Sequence, residues 1–487
     1  MKYGQPAKSG YLTVYLSLSL ILLLSLILTL AEGARINTIR MESECVADIG
    51  MNSVLAEFHR ELLEQYDLLF VDSSYGTASP SVEKSAQHLR NYMQKNFTAG
   101  EQGPANVRDW LLLSVDKAVL SEYAIASDNN GDVMKGQALA YMKESTAEGM
   151  LSEVVGRISE DISLLEGLGL DTRNIEGERN NIQEQIDAIE LPKEINENDE
   201  EVEIPLNNPA DKVNSFRAGG ILSLVLKDTT LLSSTAIHTK DYISHRAIYK
   251  GTGPSPEGPS VGGVVNNLLF DEYLIEKCSR YGEELDKSLL KYQIEYILEG
   301  KASDKENLES IAKRLLTWRE VSNVIYILSD SEKCTQARTL ALSLTAVLQV
   351  PALTEPVKYS ILFAWAYIES LYDVRCLLNG GKVPILKTSA DWKTDIDSVV
   401  NFSGAIQDEN KGENGPTYVD YLRIMLSLEN DDTKKLRTMD IMEMDIRMTP
   451  GNIYFRMDAC FDSFLADISI SSGFGYHFDI RKRYGYN

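Results

Sequence analysis

Between Tyr11 and Leu30 the chain carries twenty residues without a single charge, YLTVYLSLSLILLLSLILTL. As a helix this run spans about 30 Å at about 1.5 Å per residue, the thickness of a bilayer's hydrocarbon core. A cleaved secretion signal has a shorter apolar core of roughly 7–15 residues. Thr29 with Ala31, or Ala31 with Gly33, offers only a weak small-residue cleavage pair. Length therefore favours a retained transmembrane helix over 11–31.

Lys2 and Lys8 are the only charged residues before Glu32. The whole chain has 48 Lys+Arg against 72 Asp+Glu, a net charge of −24, so all of the acid lies beyond the apolar run. The positive-inside rule then predicts a cytoplasmic head (1–10), one membrane pass and a large extracytoplasmic domain. Such an acidic body excludes nucleic acid as a partner, because nothing collects phosphates.

After the membrane run the helical period continues. Met51, Leu55, Phe58, Leu62, Tyr66 and Leu69 recur at spacings of three and four, which predicts one stem helix to about Tyr66. YDLLFVDSSYG and the stretch Val107–Gly131 read as strands, so 32–132 is expected to be a stem helix plus a small α+β unit. A helical hairpin is predicted over 133–190, with its turn at GLGLDTRN. The stretch 191–212 is acidic and poor in apolar residues, and reads as a disordered linker. A mixed segment with a Gly/Pro-rich loop follows at 213–263, where GTGPSPEGPSVGG lacks the GK[ST] ending of a phosphate loop.

The most regular pattern is a helix bundle over 264–450. Gly300 is a helix-ending residue, SDKE places Ser303 as a cap with Glu306 behind it, and Thr354 is expected to cap a helix broken by PALTEP. ILFAWAYIESLYDVRCLLNGG is apolar nearly all round and reads as the central helix. Glu369, Asp373 and Arg375 argue against a second membrane span there. The final stretch, 451–487, partly alternates and reads as a β-hairpin. The predicted class is α+β, mainly helical.

Long phrases also resemble a known group. GYLTVYLSLSLILLLSLILTLAEGARI, ECVADIGMNSVLAEFHRELLEQYDLLFVDSSYG, YQIEYILEGKASDKENL, ILFAWAYIESLYDVRCLLNGGKVPI and YVDYLRIML are similar to a family of Gram-positive bacterial surface proteins. Its members are encoded near tight-adherence (Flp) pilus genes and have no assigned reaction. The N-terminal pattern, Gly10 followed by an apolar stem, resembles TadE/TadG-like, pseudopilin-like subunits. Tyr15 stands where a polymerising pilin carries glutamate. The resemblance therefore implies an accessory or assembly component rather than the main filament subunit, with other pilus or secretion-system proteins as partners through the transmembrane and stem helix.

Chemical motifs add little. DNNGD at Asp128–Asp132 has its glycine at the fourth place of a calcium loop rather than the sixth, and Leu139 where the bidentate glutamate belongs, so it reads as a turn. His238 and His245 lack an HExxH arrangement. No serine lies in GxSxG. Five dispersed cysteines, Cys45, Cys278, Cys334, Cys376 and Cys460, make neither a disulfide framework nor a zinc site. The sequence assigns no catalytic, cofactor-binding or metal-binding residue, and no cofactor. Glu369, Asp373 and Arg375 read either as a carboxylate pair for acid–base work or as ion-paired structural charges. The second is preferred, with Arg314, Arg319 or Arg338 as partners, because buried charges are usually paired. Thr13, Ser17, Ser25 and Thr29 lie on one i+4 row, which suggests helix packing within the membrane. Two function classes remain: a membrane-anchored structural or assembly protein, and an anchored envelope hydrolase or ligand-binding protein.

Overall fold

The computed structural model describes residues 9–98, 111–145, 148–169, 173–195, 201–217, 219–253, 261–404 and 412–486. The chain is α+β and mainly helical, and it divides into two compact units. The first comprises Met1–Val133, Ile248–Pro259 and Pro450–Asn487; the second comprises Met134–Ala247 and Ser260–Thr449.

In the first unit α1 (Ser9–Leu55) is an unbroken helix of 47 residues, about 70 Å long. It stops short of the predicted end at Tyr66. His59 takes an extended conformation, its backbone N–H donates to the Phe70 carbonyl (2.8 Å), and its side chain caps a separate helix, α2 (Arg60–Tyr66). A sharp corner there turns the chain back into β1 (Val71–Asp72), α3 (Val82–Thr98) and β2 (Leu113–Ile125). The unit is completed by β3 (Cys460–Ser472) and β4 (His477–Gly485) from the far end of the chain. β3 is central in an antiparallel sheet: β2 pairs along one of its edges, β1 and β4 along the other. Ile39, Val46, Met51 and Val54 of α1 pack with Leu89 and Met93 of α3 and with Val115, Phe464, Ile468 and Ile470 of the sheet. Gly50 permits the close crossing of α1 and α3, since a Cβ there meets Met93 Cγ at 2.8 Å.

The second unit is helical. The helix Asp128–Ser145, entered through the left-handed residues Asn129, Asn130 and Gly131, begins in the first unit and continues into the second, where Glu148–Leu168 and Ile175–Asp187 follow. Within 191–212, expected as a disordered linker, Lys193–Ile195 and Glu201–Glu203 pair antiparallel as two short exposed strands. Asn208 then caps a helix from Pro209 to Phe216, whose Ala210 and Val213 are buried. Most of the Gly/Pro-rich loop, 254–260, lies outside the described residues.

The core of this unit is formed by α4 (Asp304–Ser329), α5 (Ser331–Leu348) and α6 (Thr354–Leu378), with α4 and α5 packed on α6. Ser303 caps α4, with its hydroxyl accepting from Glu306 N (3.3 Å), and Gly300 ends the preceding helix in the left-handed conformation, as the sequence predicts. Thr354 does not cap α6; it is the first helical residue, and its hydroxyl meets that of Thr345 (3.0 Å). Every α6 residue from Ser360 to Leu378 is buried, so this helix is central in its unit. Tyr418–Leu428 and Asp431–Arg447 add two further helices.

Candidate functional site

The inner part of α1 is exposed through the whole apolar run, from Tyr11 to Leu30, apart from the half-buried Ser19. Its mean hydropathy reaches 2.5, and none of that stretch is covered by the protein. An uncovered apolar surface of this length is stable in lipid and not in water. The hydroxyls that suggested helix packing are satisfied inside the helix. Thr13 donates to Gly10 O (2.9 Å), Ser17 to Val14 O (2.9 Å), Ser25 to Leu22 O (2.9 Å) and Thr29 to Ser25 O (2.7 Å). No partner helix is needed to satisfy these donors.

Beyond Ala31 the same helix becomes a stem held by the C-terminal strand. Tyr476 donates to Glu32, Lys482 pairs with Asp48, Asn52 donates to the Tyr484 hydroxyl (3.1 Å), and Tyr486 donates to the Leu55 carbonyl. The order of these contacts shows β4 running in the same direction as the stem. The ten steps from Tyr476 to Tyr486 at about 3.4 Å cover about 34 Å, and so do the twenty-three steps from Glu32 to Leu55 at about 1.5 Å. The match explains why one set of alternate residues faces the helix. Tyr476, Phe478, Ile480, Tyr484 and Tyr486 pack against the core, while His477, Asp479, Arg481 and Arg483 are exposed. The Glu32 carboxylate raises the Tyr476 phenol, and Asp48 raises the Lys482 amine. On the stem's open side Met41, Cys45 and Ile49 are exposed at i, i+4 and i+8.

Two of the three charges singled out on α6, in the second unit, form a network, and only one of the expected arginines takes part in it. Glu369 is fully buried and pairs with Lys387. It also accepts Lys393 N (3.0 Å), Thr394 N (2.9 Å) and the Thr394 hydroxyl (2.7 Å). Asp373 pairs with the same Lys387 and with Arg319 Nε (3.0 Å), and accepts Asn323 Nδ2 (2.9 Å). Of the proposed arginines, Arg319 is the partner; Arg314 reaches Glu429 and Arg338 reaches Glu355. Arg375 is outside the network. It sits in the last turn of α6, where the helix dipole favours a cation, and no carboxylate among the described residues lies within ion-pair distance.

Burial pushes the Asp373 carboxyl up, and Lys387 and Arg319 more than offset it, leaving it below the usual carboxylate range. Two carboxylates and two cations balance, which is the arrangement that makes buried charge tolerable. A cavity of about 240 Å³ opens beside the network, with Asp373, Lys387, Cys376 and Lys393 on its wall. Burial raises the Cys376 thiol, so its thiolate is disfavoured and it is a poor nucleophile. Asp373, held ionised and engaged by three donors, is not an acid poised for proton transfer. The geometry supports a structural role.

The remaining motifs resolve as local structure. Asp128 of DNNGD accepts Ile125 N (2.9 Å) and Gly251 N (2.9 Å), within the first unit. His238 and His245 are exposed; His238 precedes one short 3₁₀ turn and His245 ends the next. No cluster of three or more His, Cys, Asp or Glu among the described residues is arranged to hold a metal ion. One polar cluster escaped notice in the sequence: Glu57, just after α1, accepts the Tyr75 hydroxyl (2.6 Å), the Tyr92 hydroxyl and pairs with His88 Nδ1 (2.9 Å). The hydrogen bond to Glu57 pushes the Tyr92 phenol up to about 12, and burial with the same carboxylate raises Tyr75 further. Phenols raised this far stay protonated near neutral pH, so they serve as donors that fix the corner between α1 and α3.

The profile of a family of unknown function, DUF5702, matches residues 198–472, more than half of the chain. No curated protein and no solved structure matches it.

Proposed function

The chain belongs to that family, and we propose that it is a membrane-anchored extracytoplasmic structural or assembly protein. The observation that carries the reading is α1 itself, whose uncovered apolar run passes without a break into a helix built into the core of its own domain. A segment meant only for export has no need of the length of a full membrane span. The basic head and acidic body support a cytoplasmic N-terminus and an external domain.

The resemblance to proteins encoded beside tight-adherence pilus genes makes an accessory role in such a pilus, or a related secretion system, the proposed context. Met41, Cys45 and Ile49, exposed along the stem, are the surface offered to neighbouring subunits. The experiment is fractionation followed by protease treatment of protoplasts. The full-length chain is expected in the membrane, with everything beyond Ala31 removed by external protease. A mature N-terminus at Glu32 or later, with protein released to the medium, overturns the reading.

A further inference from the structure

The end of the sheet nearest the anchor has an unusual surface. The turn joining β3 to β4 reads Gly473-Phe474-Gly475-Tyr476, and Phe474 is 44% exposed. Beside it Leu112, the residue before β2, is 57% exposed. Leu112 is held in the left-handed region (φ 49°), which a leucine rarely adopts, while its carbonyl accepts Gly473 N (2.9 Å). The adjoining Leu111 carbonyl accepts the Ser472 hydroxyl (2.9 Å). Two large apolar side chains are thus fixed outward at one tip, one of them at the cost of backbone strain, and strain of this kind concentrates where a surface is used.

The tip's height relative to the bilayer follows from its contacts with α1. Tyr476 bonds to Glu32, and the Arg35 guanidinium stacks 4.3 Å from the Phe474 ring centre. Glu32 and Arg35 lie about 3 and 7.5 Å beyond Leu30 along the helix axis, at about 1.5 Å per residue. The headgroup layer adds roughly 5–7 Å on each side of the hydrocarbon core. The tip therefore lies at headgroup depth. An aromatic ring, a phenol, a leucine and an arginine whose stem lies along a ring are the side chains that partition there.

We propose that Leu112, Phe474 and Tyr476 form a second contact with the bilayer, seating the sheet end of the first unit in the headgroup layer around the anchor. The proposal rests on the reading of α1 as a retained membrane helix. It makes the anchor a two-point attachment: a span through the bilayer and an interfacial foot beside it. The foot limits the tilt and rotation of the stem, as interfacial anchors do for membrane helices.

The test uses the full-length chain reconstituted in phosphatidylcholine vesicles, with two separate variants, Leu20→Trp and Phe474→Trp. Each is compared with the parent protein for quenching by lipids that carry a nitroxide at the headgroup or bromines deep in the acyl chain. Leu20→Trp is expected to add fluorescence lost mainly to the deep quencher. Phe474→Trp is expected to add fluorescence lost mainly to the headgroup quencher. If Leu20→Trp is quenched and the added Phe474→Trp signal is not, the foot is refuted and the anchor stands. If neither added signal is quenched, the anchor reading fails and the foot with it.

Discussion

Lys387 is the pivot of the charge network, because one ammonium serves both Glu369 and Asp373. Replacing it with methionine, Lys387→Met, keeps most of the side chain's volume and removes the charge. Two buried carboxylates are then left with one cation, Arg319. Breaking a buried pair by removing one partner costs about 3–5 kcal/mol. The lower end applies here, since Glu369 keeps three donors from Lys393 and Thr394, and Asp373 keeps Arg319 and Asn323. The unit spans 134–247 and 260–449, about 300 residues, so at about 2.1 cal/mol/K of unfolding entropy per residue a loss of about 3 kcal/mol lowers Tm by roughly 5 °C.

Tryptophan fluorescence is a suitable readout, because the Trp392 ring centre is 5.7 Å from the Lys387 ammonium and 6.1 Å from the Trp365 ring. Urea unfolding of the detergent-solubilised chain, followed at these rings, gives the loss directly. Adding Glu369→Gln to Lys387→Met removes the stranded charge and is expected to restore much of the stability. A single variant within about 0.5 kcal/mol of the parent, the range of ordinary surface changes, refutes the reasoning.

Other outcomes follow from the same structure. Deleting 476–487 strips the covering strand from the stem, and the first unit is expected to become protease-sensitive between residues 32 and 55; an unchanged digestion pattern refutes this. Gly50→Val pushes a side chain into Met93 and Leu89 and is expected to lower stability by about 1–3 kcal/mol, measured by thermal unfolding. Burial pushes the Glu295 carboxyl up to about 7 from its usual 4.5. The folded state thus keeps a proton that the unfolded chain releases, and stability falls as pH rises from about 4.5 to 7, by on the order of 3 kcal/mol. Glu295→Gln is expected to flatten that slope, and equal slopes in parent and variant refute the assignment.

What could be read from the sequence was whatever is local. The apolar start of α1 shows as a run of uncharged residues, the centre of the second unit as the apolar helix around Trp365, and the ends of α4 and its neighbour as Ser303 and Gly300. The stem's true end at Leu55 is hidden because Phe58 and Leu62 keep the helical period going across the break. The corner is set by a hydrogen bond from His59 to Phe70, a contact with no signature in spacing. Likewise Glu369 and Asp373 were visible as misplaced charges, but the lysine that answers them comes from the loop after α6. Arg375 drew attention only because it is close in sequence. The alternation in β4 was legible, whereas its partner, a helix near the opposite end of the chain, was not.

Glu32 and Tyr476 are 444 residues apart, and this separation has a consequence for biogenesis. At about 5–20 residues per second, roughly 20–90 s pass between synthesis of the stem and synthesis of the strand that covers it. Of the surfaces that cover the apolar stripe of Ile39, Val46, Met51 and Val54, α3 and β2 follow soon after the stem, whereas β3 and β4 come last, so the stripe waits with only part of its cover. During that interval a nascent chain is most open to capture by a chaperone or a neighbouring copy. Closure of the first unit therefore waits until the chain has been made as far as Tyr486, and a chain stopped short of β4 presents an unfinished stem.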